Sequence, residues 1–299
     1  MTSGMNKDDR HSGQRPREGK RRTGRERILR STAVLPSLVT TCNGIAGFGA
    51  IHFATKDGLG FATMENLATA CWLLVIAMVC DVLDGRLARM TRRTSDFGGQ
   101  LDSLCDVISF GVAPAMLMVR ATIPAIHGWL YGGAYNTMPI ERVVWCIGAV
   151  FMACAALRLA RFNVENVADE SAHMHFRGLP SPGAAGVVVT VVLLIAHVSQ
   201  LGWLEPKLLH AIVSIALPLI TLAAGLLMIS RFDYPHIVNQ YIRGKRPFSY
   251  LVKAVIVVIA ALLEPFATAA AVAVLYMFWG PVRATWRAVR PAASPPHQP

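Results

Sequence analysis

Charged side chains are scarce in this chain of 299 residues. They make up 16% of it, whereas an ordinary soluble domain carries about 25%. Hydrophobic residues account for 54%. This composition argues against a soluble globular protein and predicts an all-α integral membrane protein.

The sequence also lacks cysteine or histidine pairs at the spacing of a metal-binding motif. All six cysteines fall in or beside apolar runs, where a thiol behaves as a small buried hydrophobic group. We therefore expect neither a zinc site nor a disulfide bond.

Nucleic acid is not an expected partner, although the net charge is +11. Lysine and arginine are not interleaved with aromatic residues, and they stand in short blocks between apolar runs. Such blocks are typical of a protein oriented in a bilayer.

Both ends of the chain are polar. Residues 1–33 carry ten Lys/Arg against four Asp/Glu, and the first apolar run continues to about Phe53 without a convincing cleavage site. We expect no signal peptide but a disordered, basic cytoplasmic tail. A transmembrane domain should follow over residues 34–281, and a second cytoplasmic tail over residues 282–299.

Eight apolar runs are candidates for membrane-spanning helices. They lie near residues 34–54, 64–84, 102–121, 143–161, 183–203, 208–229, 250–263 and 266–281. Eight spans place both termini on one side. Lys and Arg total 25 in the tails and even-numbered loops and 4 in the odd-numbered loops, so the positive-inside rule predicts cytoplasmic termini.

Four aspartates lie at the cytoplasmic ends of the second and third predicted spans. Asp81 and Asp84 are three residues apart, and Asp102 and Asp106 are four apart, so on helices each pair projects from one face. The intervening turn returns the chain antiparallel and brings the pairs together. A single aspartate here could cap a helix or pair with an arginine, but four would repel one another. Because a divalent cation relieves that repulsion and carboxylate oxygens are hard ligands, we expect Mg²⁺ or Mn²⁺.

Small residues accompany the aspartates. Gly85, Ala88, Gly98 and Gly99 leave room for a bulky ligand beside the carboxylates, and Arg89 is able to meet a phosphate. Metal, space and positive charge together indicate a diphosphate substrate. A metal pair would stabilise charge on the bridging and leaving oxygens during displacement at phosphorus.

The spacing of these residues resembles the signature of the CDP-alcohol phosphatidyltransferase family at every position. It reads D-x2-DG-x2-AR-x8-G-x3-D-x3-D from Asp81 to Asp106. The resemblance implies an integral-membrane homodimer that transfers a phosphatidyl group from a CDP-linked lipid to an alcohol and releases CMP. It also implies two metal ions held by Asp81, Asp84, Asp102 and Asp106, with Asp106 as general base as well.

The nucleotide side of the site follows from the same resemblance. Gly85 and Ala88 would make room for the cytidine, and Arg89 with Gly98 would shape the nucleotide and diphosphate pocket.

Three further segments resemble the integral-membrane phosphatidylserine synthases of that family. They read LPSLVTTCNGIAGFGAI, SFGVAPA, and ALRLARFNV followed by FRGLPSPGAA. The resemblance implies CDP-diacylglycerol as donor and L-serine as acceptor, with Thr40 and Asn43 on the nucleotide side. That group commonly has Pro-Asn where this chain has Pro36-Ser37.

The acceptor site is expected at the cytoplasmic end of the fourth span. Arg158 and Arg161 are three residues apart and are able to grip an anionic group, with Asn163 and Ser181 adding polar contacts at the same face. Simple anchoring of the arginines at the interface stays open. So do two roles for the segment GLPSPG, as a rigid turn or as an acceptor loop.

Other interpretations remain. The acceptor could be glycerol 3-phosphate or an inositol phosphate. A membrane cation transporter would use the aspartates as its ion site, but such a site should lie near the midplane with polar residues continuing beyond it. His173 and His175, in the sequence DESAHMHF, are expected to be solvated loop residues without a catalytic role.

Overall fold

A computed structural model of this protein describes residues 24–58, 61–91, 96–130, 138–168, 178–232, 234 and 248–289. Its helices are α1 (Gly24–Thr55), α2 (Met64–Thr91), α3 (Asp96–Asp106), α4 (Ala113–Leu130), α5 (Met138–Ala168), α6 (Ser181–Leu201), α7 (Pro206–Ile229), α8 (Phe248–Leu263) and α9 (Pro265–Val289). A π-helical segment (Val107–Val112) joins α3 to α4, and a two-residue antiparallel pair, β1 (Asp57–Gly58) and β2 (Phe61–Ala62), joins α1 to α2. The predicted all-helical class is therefore confirmed.

All eight apolar runs fall on helices, and six helical stretches of the described chain are long and apolar enough to cross a membrane. They are Met64–Leu87, Phe97–Leu130, Met138–Val164, Ser181–Leu201, Pro206–Ile229 and Pro265–Trp286. The first run lies on α1. The seventh lies on α8, which is only 16 residues long. The count of eight spans stays a prediction.

The helices extend beyond the predicted transmembrane domain at both ends. α1 begins at Gly24 and α9 continues to Val289, because both flanks contain good helix formers such as arginine and alanine. Likewise Arg120, one of the four basic residues counted in the odd-numbered loops, lies inside α4. Residues 1–23 and 290–299 of the predicted tails, and also His173 and His175, lie outside the described residues.

The core is built from small, aliphatic and aromatic side chains of α2, α4, α5, α6 and α7, among them Leu74, Leu117, Phe151, Val188 and Leu217. Large apolar side chains are also exposed on many helices. In water such a surface would be a liability, so these helices suit a lipid environment. The described part of the chain contains six cysteines, all of them free thiols.

Helix α1 packs tightly against the segment that carries Asp106. A Cβ atom added at Gly44 would lie 2.8 Å from the Cys105 Sγ, and one at Gly47 would lie 2.8 Å from the Ser109 Cα. Only glycine permits so close an approach of the two backbones. The π-helical segment begins directly after Asp106, and its Ser109, Phe110 and Gly111 are buried. Such local π turns are frequent at functional sites.

The segment GLPSPG forms a turn that is fixed to the end of α7. The Gly178 N–H donates to the Phe232 carbonyl at 2.8 Å, and the Leu179 N–H donates to the Leu227 carbonyl at 3.0 Å. Gly178 has φ +92°, a conformation that other residues rarely adopt. This geometry favours the rigid-turn interpretation, and it brings Ser181 at the start of α6 against α5.

Candidate active site

The antiparallel return of the chain brings the aspartates together. Asp81 comes from α2, and Asp102 and Asp106 come from α3. One carboxylate oxygen of each lies within 4.8 Å of the corresponding oxygens of the other two. Asp84 lies outside this group of three, one turn further along α2, where its carboxylate lies beside the Thr40 hydroxyl and the Gly85 backbone N–H.

Burial of these carboxylates is energetically unfavourable unless a cation neutralises their charge. Asp84 and Asp106 are each 6% exposed, and Asp81 and Asp102 are partly buried. Asp84 Oδ2 and Asp102 Oδ1 are buried without a hydrogen-bond partner among the described residues. Because a buried carboxylate normally needs a partner, these oxygens fit the coordination of a hard divalent cation.

Asn43 orients the carboxylate of Asp106. Asn43 is fully buried on α1, and its Nδ2 donates to Asp106 Oδ1 at 3.0 Å. The Ser109 hydroxyl in turn donates to the Asn43 backbone carbonyl at 2.9 Å. The resemblance implied a nucleotide contact for Asn43 and did not indicate this hydrogen bond to Asp106. The only indication in the sequence was a polar residue on a face of α1 that otherwise carries small residues.

The remaining donor-side residues lie around the same carboxylates. Thr40 is buried on α1, and its hydroxyl donates to the Pro36 carbonyl at 3.0 Å. A Cβ atom added at Gly85 or Gly99 would meet no atom within 4 Å, so there is open space beside Asp84 and at the start of α3. Gly98 lies on α3. Ala88 and Arg89 lie on α2, and their side chains are outside the described part of the structure.

Arg158 on α5 lies near Asp106 of this cluster. Its Nη1 donates to the Ser181 hydroxyl at 3.0 Å, and its guanidinium is within electrostatic range of Asp106. Nε is buried without a hydrogen-bond partner among the described residues. A half-buried guanidinium that keeps donor capacity next to a carboxylate cluster suits an anionic ligand.

Asn163 and Arg161 have different surroundings, one hydrogen-bonded to α3 and the other exposed. Asn163 Nδ2 lies 2.9 Å from the Ser103 hydroxyl, which is next to Asp102 in the sequence and also bonds the Gly99 carbonyl at 3.0 Å. This contact ties α5 to α3. Arg161 is exposed. Of the two arginines expected at the acceptor site, only Arg158 is half-buried near the aspartates.

This arrangement can hold a metal-bound phosphate and activate a hydroxyl beside it. The carboxylates are suited to ligate a metal ion, Asp106 is held by an amide, and Arg158 is near enough to contact an anion beside them. The site lies in the C-terminal part of α2 and along α3, and the middle of α2 is packed by apolar Ala70, Leu74 and Ala77. Such packing does not favour the cation-transporter interpretation, which needs polar groups along a path for the ion across the membrane.

Comparison with protein families gives one match that covers most of the chain. A sequence model of the CDP-alcohol phosphatidyltransferase family matches residues 33–223. The match includes the four aspartates, Arg158 and Ser181, and it ends within α7.

Individual relatives agree with this match. A protein of Helicobacter pylori named CDP-diacylglycerol–serine O-phosphatidyltransferase is 34% identical over 203 residues, which are 68% of this chain and 72% of the relative. A protein of the same name from Methanocaldococcus jannaschii is 34% identical over 188 residues, 60% of this chain and 74% of its own. Archaetidylserine synthase of Methanothermobacter thermautotrophicus is 33% identical over 214 residues, 71% and 74% of the two chains.

Proposed function

Because the chain belongs to the CDP-alcohol phosphatidyltransferase family, we propose that it transfers the phosphatidyl group of CDP-diacylglycerol to L-serine, giving phosphatidylserine and CMP. The observation that carries the chemistry is the convergence of Asp81, Asp102 and Asp106 oxygens within 4.8 Å of one another. Serine as acceptor is supported by the names of the relatives and by the half-buried Arg158 near that cluster.

Asp81, Asp84, Asp102 and Asp106 would hold two divalent cations, Mg²⁺ or Mn²⁺. The unpartnered Asp84 Oδ2 and Asp102 Oδ1 support this assignment. When bound, the cations would neutralise the charge that develops on the diphosphate oxygens. The four carboxylates thereby keep the donor diphosphate next to Asp106.

The donor would bind with its cytidine on the side of α1 and α2. Thr40, Gly85, Ala88, Arg89 and Gly98 are the proposed contacts of the nucleotide and diphosphate. The open space beside Gly85 supports this assignment, because a ligand can approach the α2 backbone there. The acyl chains would stay in the inner leaflet, with the active site at the cytoplasmic face.

Asp106 is the proposed general base. It takes the proton of the serine hydroxyl, whose oxygen attacks the phosphorus that carries the diacylglycerol. The bond from that phosphorus to the oxygen bridging to CMP breaks, and CMP leaves with the bond's electron pair. The hydrogen bond from Asn43 fixes the carboxylate, so its second oxygen can face the hydroxyl.

Arg158 would bind the serine carboxylate, with Ser181 holding the guanidinium in place. Arg161 and Asn163 are weaker candidates for the same pocket, since one is exposed and the other bonds Ser103. Arg158 is also where a phosphorylated acceptor would bind. Glycerol 3-phosphate or an inositol phosphate is therefore the alternative acceptor within the same chemistry.

The test is CMP release by the purified protein in detergent. The assay contains CDP-diacylglycerol, Mg²⁺ or Mn²⁺, and either L-serine, glycerol 3-phosphate or inositol phosphate. Serine-dependent release is expected. CMP release with another acceptor would agree with the aspartate chemistry and refute serine as the acceptor. If none of the acceptors supports metal-dependent CMP release, the proposal is refuted. Exchange of CMP into the donor without serine would indicate a phosphatidyl-enzyme intermediate and would refute the direct attack of serine on the donor.

The protein is further proposed to act as a homodimer with both termini in the cytoplasm. Exposed apolar faces such as that of α8 leave surface for lipid and for a second copy. Cross-linking in native membranes tests the dimer, and labelling of introduced surface cysteines from each side tests the orientation.

A further inference from the structure

A cavity of about 50 Å³ lies between α2, α4, α6 and α7, at the end of the helix bundle opposite the aspartates. Helix α6 begins with Ser181, the hydrogen-bond partner of Arg158, and Ser199 near its other end lines the cavity. At 1.5 Å per residue these two serines are about 27 Å apart, close to the thickness of the hydrocarbon core of a bilayer. The cavity therefore faces the leaflet opposite the candidate active site, whichever way the protein is oriented.

The cavity has an apolar floor and a polar rim. Its floor includes Leu67, Ala121 and Val213, each no more than 3% exposed. The polar side chains that line it belong to Arg120, Ser199 and His210, all of them partly or fully exposed, so the cavity opens to the surface of the bundle. A water molecule needs about 10–15 Å³ of such space, which leaves room here for a group of the size of a phosphate.

Arg120 is a charged residue inside a membrane-spanning stretch. It lies in the middle of α4, within the apolar stretch Phe97–Leu130. Ionisable residues inside such stretches are rare, face the bundle interior or a cavity, and mark ligand sites. A guanidinium has five N–H donors, so it can keep a protein partner and still bind phosphate oxygens. Because the described lining contains no acidic residue, Arg120 gives the cavity a positive charge.

The His210 ring is packed against α4 on the side of the cavity. A Cβ atom added at Gly128 would overlap this ring, so glycine makes room for the imidazole there. An imidazole carries at least one N–H donor whether it is neutral or charged. Since Arg120 and His210 line the same small cavity, both side chains are within reach of one bound anion.

We propose that this cavity binds the phosphate-bearing headgroup of an anionic membrane lipid from the leaflet opposite the active site. Arg120 and His210 contact the phosphate, and the apolar floor receives the adjoining glycerol carbons. A lipid fits better than a soluble anion because most of the lining is apolar, and basic pockets between membrane helices suit anionic headgroups. The site is separate from the aspartates and does not depend on the proposed function.

The test is a titration of the purified protein in detergent with dioleoylphosphatidylglycerol, followed by native mass spectrometry. The wild type should bind this lipid about tenfold more tightly than phosphatidylcholine, whose headgroup has no net charge. Arg120→Gln should raise the Kd for phosphatidylglycerol roughly 10–100-fold, the effect of lost hydrogen bonds to a charged group. Equal Kd values for the two lipids, or an unchanged Kd in Arg120→Gln, would overturn the proposal.

Two control variants separate this site from other basic positions. Arg142 is exposed near the start of α5, next to Glu141, which bonds His127 near the end of α4. Arg142→Gln therefore removes a charge at the same end of the bundle and should leave the Kd unchanged. Arg158→Ala, at the other end, should also leave it unchanged. If Arg158→Ala abolished binding, the lipid would occupy the active site and the proposal would be wrong.

Inorganic phosphate distinguishes a lipid from a soluble anion. At the concentration of the lipid, it should not displace phosphatidylglycerol from the wild type. Displacement would show that a free anion occupies the cavity, and would refute the lipid headgroup.

A variant that fills the cavity serves as a second route should Arg120→Gln fold poorly. Ala125 lines the cavity and is 4% exposed. Ala125→Val adds two carbons there and leaves Arg120 in place. Affinity for phosphatidylglycerol should fall about tenfold, while the thermal unfolding midpoint without lipid stays close to that of the wild type. Unchanged affinity would count against the proposal. Absence of serine-dependent CMP release would refute the proposed function and would not affect this result.

Discussion

Replacing Asp106 by asparagine separates its two proposed roles, general base and metal ligand. Asparagine has the same shape and keeps an oxygen that can accept the 3.0 Å hydrogen bond from Asn43 Nδ2. The Asp106→Asn protein should therefore fold normally. The amide cannot take the proton of the acceptor hydroxyl, whereas Asp81, Asp84 and Asp102 stay available to hold the metal and the donor.

The expected loss follows from the loss of the base. General-base catalysis contributes roughly 10²–10⁴-fold, so kcat for CMP release should fall by that factor, about 3–5 kcal/mol in activation free energy. Affinity for CDP-diacylglycerol should fall only a few-fold. Turnover is measured as CMP release in detergent, and donor affinity by titration calorimetry with Mg²⁺ or Mn²⁺ present.

Leu104→Ala is the matched control, since Leu104 lies on the same helix and is 65% exposed. Its turnover and donor affinity should equal those of the wild type. Activity of Asp106→Asn within a few-fold of the wild type would refute the assignment of the base. Loss of donor binding in parallel with turnover would show that Asp106 serves chiefly as a metal ligand.

Three other changes test neighbouring parts of the site. Asp102→Asn should abolish both turnover and metal-dependent donor binding. In the wild type, chelation by EDTA should cause the same loss, and readdition of Mg²⁺ or Mn²⁺ should reverse it. Donor binding that persists in EDTA would contradict the metal site. Arg158→Ala should raise KM for serine roughly 10–100-fold with little change for the donor, whereas an equal loss for both substrates would assign Arg158 to the donor phosphates. Gly47→Ala should destabilise the protein by about 1–3 kcal/mol because its Cβ would lie 2.8 Å from the Ser109 backbone. Gly49→Ala meets only the movable Leu73 side chain, at 3.3 Å, and should leave the thermal unfolding midpoint unchanged; equal midpoints for both variants would show that the α1 contact is not tight.

The sequence was informative where the determining interactions are local. Low charge and long apolar runs predict membrane helices because a helix satisfies its own backbone hydrogen bonds. Spacings of three and four residues put each aspartate pair on one helix face for the same reason. The eight runs all fall on helices, and three of the four aspartates are brought together.

Local pattern was less informative about the exact form of the helices. The predicted third span is interrupted by the π-helical segment Val107–Val112, which changes the direction of the side chains that follow Asp106. A π turn depends on a shift in hydrogen-bond register that no residue type specifies. Helices α1 and α9 also extend past the apolar runs, because good helix formers flank them.

The tertiary structure alone decided which distant residues meet. Asn43 bonds Asp106 across 63 positions of sequence, and Arg158 bonds Ser181 across 23. These contacts depend on how helices rotate and cross, which follows from the packing of small residues such as Gly44 and Gly47 over the whole interface. The sequence by itself determined the membrane helices and the family's carboxylate pairs, and the packing determined which side chains orient them.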